Sequence, residues 1–211
     1  MIIKADNASG VQGAGAPANF RCPGCGQLGT FELLIGNSQD IALAGGFRIG
    51  ERRCPNSECR ALIFVIWRNN NVIRSYPALR IDFDKTNIPG AIVSALEEAI
   101  TCHANECFIA AAIMVRKTLE EMCRERGGKG KDLKERIRDL GTKIVLPSDL
   151  LNGLDDLRLL GNDAAHIESR EYDQVGKEEV EIGIEFTKEV LKAMFQYSAL
   201  LNRLRGLKKT P

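Results

Sequence analysis

The chain has 211 residues, 44% hydrophobic and 27% charged, which is enough apolar content for one medium domain or a small module plus a domain, and too much for a disordered polar chain. A formal net charge of +1 excludes a strongly basic field over the whole molecule and leaves only local basic patches as a route to nucleic acid. No unbroken apolar run approaches the roughly 20 residues that cross a bilayer, so no membrane is expected as a partner.

Residues 1–19, rich in Gly, Ala and Asn, read as a flexible arm. They lack a basic stretch followed by an apolar one, so no secretory leader is expected. Seven cysteines, an odd number, then point to a reducing, cytoplasmic compartment and to metal ligands or buried thiols rather than disulfides. From Phe20 to about Arg74 the text is β-like. Phe31 to Ile35 and Leu62 to Trp67 are short runs of β-formers, separated by turn signals at Gly45-Gly46 and Asn69 to Asn71. Two cysteine pairs frame this stretch, Cys22-Pro-Gly-Cys25 and Cys54-Pro-Asn-Ser-Glu-Cys59. Four thiolates at such spacings can close a tetrahedron around Zn2+, and the Gly and Pro inside the pairs let the backbone curl around an ion. With no coordination position left open, the metal would be structural, and in so small a module it would supply much of the folding energy. Residues 20–75 are therefore expected to form a zinc ribbon held by Cys22, Cys25, Cys54 and Cys59.

An extended linker, residues 76–88, leads into text with helical period over 89–205, and residues 206–211 form a tail. Pro89 suits a first helical turn, with Ile92, Leu96, Ala99 and His103 on one face. A second helix from about Asn105 carries Phe108, Ala111, Ala112, Val115, Leu119 and Met122 and ends at Gly127-Gly128. A short basic helix from about Lys131 to Leu140 stops at Gly141, and Ser148 caps a fourth helix whose core positions are Leu150, Leu154, Leu157, Gly161 and Ala164. A long last helix runs from about Val175 to Leu204. The fold class is thus α+β in two modules: a small β-rich ribbon followed by an all-α bundle of about five helices.

Three features of the bundle could carry chemistry. Residues 116–143 hold ten basic and six acidic side chains, and Lys129 and Lys131 in the Gly-rich loop at its centre are candidate phosphate contacts, or else a solvated surface turn. Cys102, His103 and Cys107 suggest either a second metal site or buried small side chains. In the fourth helix Arg158, Asn162 and His166 recur every four residues and form one polar stripe, with Asp155 on the same side. Such a stripe can bind phosphate and move a proton, since histidine titrates near neutrality and arginine offers a planar donor fork. It can equally knit helices together.

The strings Arg116-Lys-Thr-Leu-Glu120 and Arg158-Leu-Leu-Gly-Asn-Asp-Ala-Ala-His166, with the Leu133 to Leu140 helix and the Tyr76-Pro77 and Ile88-Pro89 entry, resemble the domain of unknown function 4145 family. That family is grouped with the HEPN superfamily. The resemblance implies a helical bundle behind a cysteine-paired ribbon, a homodimer, and a place in restriction or phage-defence systems with an RNA, DNA or protein partner. Active HEPN members are metal-independent endoribonucleases whose motif is an Arg, a polar residue and a His, two motifs meeting across a dimer. Here His166 matches the His and Asn162 the polar position, but Gly161 stands where the Arg would be at the shortest spacing, and Arg158 lies a turn further back. The missing Arg favours a non-catalytic nucleic-acid- or protein-binding module. The alternative is a homodimeric endoribonuclease with His166, Arg158 and Asn162 as catalytic residues.

Overall fold

The computed structural model describes residues 9–10, 18–34, 40–144, 146–165 and 175–207. The chain divides into two compact units after Asp82, and the α+β expectation holds. Much of the arm expected over residues 1–19 lies outside the described residues, as does the tail from residue 208.

Among the described residues the first unit holds two antiparallel sheets. Ala18–Arg21 (β2) and Leu28–Phe31 (β3) form a hairpin. A five-stranded sheet has the order β1-β4-β5-β6-β7, where β1 is Ser9–Gly10, β4 Ile41–Leu43, β5 Phe47–Arg53, β6 Leu62–Arg68 and β7 Asn71–Tyr76. The pairing of Ser9–Gly10 with β4 gives part of the expected arm a structural role. Alternation of side chains across a strand decides what is buried. In β6, Ile63, Val65 and Trp67 point into the core, while Leu62, Phe64 and Arg68 stay exposed. The inward residues pack with Ala18, Phe20 and Phe31 of the hairpin, and the Phe20 and Phe31 rings stack at 4.0 Å.

One buried ion pair reinforces this small core. The Arg52 side chain is fully buried and donates from Nη1 and Nη2 to the two carboxylate oxygens of Asp40, at 2.9 and 2.8 Å. Arg48 approaches the same carboxylate at 3.2 Å, and both guanidinium groups lie over the Trp67 ring. Glycine at position 50 makes room for the pair, because a Cβ there would stand 1.9 Å from Asp40 Oδ1.

The helical unit contains Gly90–Ala104 (α1), Phe108–Glu125 (α2), Leu133–Lys143 (α3), Ser148–Ala165 (α4) and Lys177–Leu191 (α5). The last continues through a π-helical turn, Lys192–Gln196, into Tyr197–Gly206 (α6). α2 is the central helix and packs against α1, α3, α4 and α5. Its buried stripe, from Ala111 and Ala112 through Val115 and Leu119 to Met122, includes the positions expected from periodicity.

Two helix ends differ from expectation. α2 starts at Phe108 rather than near Asn105, because Cys107 N–H bonds back to Cys102 O at 2.9 Å and Glu106 takes a positive φ of 63°, closing α1 first. α3 continues past Gly141 to Lys143. Gly141 is therefore a packing residue rather than a stop, and a Cβ there would meet Leu151 of α4 at 3.2 Å. The start of α3 follows capping logic, with the Asp132 side chain accepting the Glu135 N–H at 2.9 Å. That bond holds the Asp132 carboxyl below the usual carboxylate range.

Replacing Asp40 by Ala would leave the Arg52 charge buried without its partner. The expected cost is about 3–5 kcal/mol. A lowered urea midpoint with an intact m-value would report it; an unchanged midpoint would refute the role given to the pair.

Candidate metal centre, polar stripe and exposed sheet face

The two cysteine pairs sit on two backbone knuckles. In the first, the turn after β2 is closed by Cys22 N–H to Gln27 O and Gly26 N–H to Cys22 O, both 2.9 Å, and Gly26 adopts φ 75°. In the second, Asn56 organises the loop after β5. Its carbonyl accepts the Cys59 and Arg60 N–H groups at 3.1 and 2.9 Å, and its side chain accepts the Glu58 N–H at 2.9 Å. These turns bring the sulfurs of Cys22, Cys25, Cys54 and Cys59 within 4.8 Å of one another. The Cys22–Cys59 and Cys25–Cys54 separations are both 3.8 Å. A regular tetrahedron with Zn–S bonds of about 2.3 Å has S···S edges of about 3.8 Å. The donor set and its spacing thus fit a four-coordinate thiophilic metal.

The protonation of these thiols tells the same story. The backbone N–H of Gln27 pulls the Cys25 thiol down to about 7, while burial pushes Cys54 up to about 12. Four thiolates this close repel, and a divalent cation is the group that lets all of them ionise. Among the described residues this is the one cluster of His, Cys, Asp or Glu able to hold a metal. Cys102 and His103 with Cys107 make no second cluster. Cys123 is buried, Cys102 is half-buried and Cys107 is exposed. His103 is nearly buried, its Nε2 3.8 Å from Glu181, and burial lowers its pKa.

The polar stripe of α4 is engaged in packing. Arg158 Nε lies 2.6 Å from Asp155 Oδ1, and the Arg158 side chain is 15% exposed. Its carbonyl accepts a bond from Arg116 Nη1 of α2 at 3.2 Å. Arg116 also faces Glu120 at 3.6 Å. The two helices come close at Gly161, where a Cβ would meet Arg116 Cβ at 2.4 Å and the Ala112 carbonyl at 3.1 Å. So the position that lacks the motif arginine is the one that lets α2 and α4 touch. Asn162 is half-buried one residue on, and His166 lies outside the described residues.

Residues 97–209 match the family model of a domain of unknown function, DUF4145. The chain belongs to the DUF4145 family. No curated protein and no solved structure matches it. The match to DUF4145 covers the stripe and most of the bundle, but not the cysteine cluster.

The backbone of the basic loop of this DUF4145 chain is tied to acids of α3, while the Lys129 and Lys131 side chains stay exposed. Lys129 N–H donates to Asp139 Oδ2 at 2.6 Å, and Lys131 N–H to Glu135 Oε2 at 3.0 Å. Lys131 Nζ also lies 3.4 Å from Glu135. The amides a phosphate would use are thereby taken by carboxylates.

A different surface, unnoticed in the sequence, gathers aromatic and basic groups. On the outward face of the large sheet Phe64 of β6 stands opposite Tyr76 of β7, and they are 47% and 75% exposed. Arg74 pairs in register with Ile66, and Arg53 with Leu62. Further along, the Arg68 guanidinium lies over the Phe47 ring. Glu51 is the acidic residue in register with Phe64.

Two outcomes follow. Cys54→Ser is expected to abolish metal retention, measured by elemental analysis of the purified chain, and to remove the cooperative unfolding of the first unit. Retained metal would refute the four-thiolate site. Gly161→Ala is expected to destabilise the helical unit by about 1–3 kcal/mol through overpacking, outweighing the roughly 1 kcal/mol that Ala gains over Gly in a helix. A raised melting temperature would show that α2 and α4 are not in close contact there.

Proposed function

We propose that this DUF4145 protein binds single-stranded nucleic acid without cleaving it, on a β-rich unit organised by a structural Zn2+. The observation that carries the reading is the outward sheet face, where Phe64 and Tyr76 stand side by side among Arg53, Arg68 and Arg74. Bases stack on exposed aromatic rings whatever their identity, and flanking arginines hold the backbone phosphates. The first 75 residues carry eight basic and five acidic side chains, a modest local excess of the right sign. The ion would hold the two knuckles together and take no part in chemistry.

The occupied state of Arg158 supports binding over catalysis. The Arg158 guanidinium donates from Nε to Asp155 at 2.6 Å, which draws the charge onto a carboxylate of its own helix. A setting in restriction or phage defence rests on the family grouping alone and belongs to the proposal.

The test is fluorescence anisotropy with labelled single-stranded RNA and DNA oligomers, run beside a cleavage assay with EDTA-washed buffer. Phe64→Ala and Tyr76→Ala should each weaken binding by roughly 1–3 kcal/mol, about five- to a hundredfold in Kd. His166→Ala should bind as the wild type does, and neither should cut. Absence of binding by the wild type would overturn the proposal. So would cleavage that His166→Ala abolishes, which would make the chain a metal-independent endoribonuclease.

A further inference from the structure

The last described helix exposes a row of large apolar side chains. Leu200, Leu201, Leu204 and Leu207 are 51–80% exposed, and Tyr197 is 51% exposed. The principal contacts of α6 are with the π-helical turn just before it. An exposed apolar stripe of this kind on a helix marks an interaction surface. The same continuous helix carries a second uncovered feature. Along α5 runs an open groove of about 890 Å³, lined by the apolar Ile182 and Phe186, by four carboxylates, Glu178, Glu181, Glu185 and Glu189, and by Lys177. Ile182 is 62% exposed.

We propose that the occupant of the α5 groove is α6 of a second copy of this chain, and that the two long helices pair antiparallel about a two-fold axis. Three observations argue for a second copy. The charges are complementary: the groove is lined by four carboxylates against one lysine, Lys177, whereas α6 carries Arg203 and Arg205 and no acidic residue. The apolar spacings agree: Ile182 and Phe186 are four residues apart, as are Leu200 and Leu204. An antiparallel register that seats Leu204 on Ile182 therefore seats Leu200 on Phe186. It also brings Arg205 level with Glu181 and puts Ala193, in the π-helical turn, on the axis. Finally, both features lie on one helix run, so an isologous pair covers the groove and the leucines of both copies at once. Lys188 and Lys192 already bind Glu185 and Glu189 at 2.8 and 2.7 Å; Glu181, 49% exposed and 3.8 Å from the neutral-leaning His103, faces the incoming Arg205.

This pairing differs from the dimer expected from the HEPN resemblance, which brings two α4 motifs together. Here the contact surface is α5 and α6, and it stands independently of the nucleic-acid reading.

The experiment is the solution mass of the full chain by light scattering and sedimentation over a range of micromolar concentrations. The wild type should show twice the 23.2 kDa chain mass. Leu204→Glu alters a side chain that is 60% exposed in its own copy, so circular dichroism and melting temperature should hold while the dimer Kd rises at least tenfold. Ile182→Arg should act the same way from the groove side. Arg205→Glu should weaken the pair, and adding Glu181→Arg to it should restore the wild-type mass. A wild type that stays at the single-chain mass overturns the proposal. So does a dimer indifferent to Leu204→Glu and Ile182→Arg, which would place the interface elsewhere. Failure of the charge reversal to restore pairing would refute the antiparallel register.

Discussion

The first unit depends on bringing four sulfurs to within 4.8 Å. Its apolar core is a hairpin laid against one face of a sheet, with eight buried residues, two of them the candidate ligands Cys22 and Cys54. A core that small offers little hydrophobic stabilisation against the entropy of ordering the chain. A metal held by both knuckles would serve as a cross-link. Cys22 and Cys25 follow β2, Cys54 and Cys59 follow β5, and joining them would fix the hairpin on the sheet. The buried Asp40–Arg52 pair adds a second fixed point, set between Trp67 and a glycine that leaves it room. With one face of the sheet committed to this core, the other is left to carry Phe64, Tyr76 and the arginines.

In the helical unit the same residues are claimed by two demands. A stripe of Arg, Asn and His suits phosphate chemistry, but it can do that work only if its charges are free to meet a substrate. Arg158 is held by Asp155, and its carbonyl is held by Arg116. Gly161 allows α2 and α4 to approach until Arg116 fills the space a side chain would take. The absence of an arginine at position 161 and the tight helix crossing are thus one fact seen twice. A large residue at 161 would separate the helices that the rest of the bundle packs around.

The long helix from α5 to α6 shows how periodicity can be right about structure and silent about burial. Its apolar positions recur with helical spacing, and Val190 and Met194 are buried. Leu201 and Leu204 read the same way in the sequence yet lie in the open. A leucine at helical spacing says that one face is apolar; it does not say whether the partner for that face lies in the same chain.

The sequence by itself determined the local features. Helical and strand periods, the two cysteine pairs and the proline before α1 all act within a few residues, so spacing was enough to read them. Only the tertiary structure decided the rest. It placed the two cysteine pairs together, committed Arg158 to Asp155, turned Glu135 and Asp139 onto the basic loop, and made Gly161 a contact rather than a gap. It also sorted the run Leu62 to Trp67, all apolar and so without visible alternation, into a buried face and an exposed one. The physical reason is common to all of these. A side chain's chemistry depends on what else occupies the space and fields around it, and those neighbours come from distant parts of the chain.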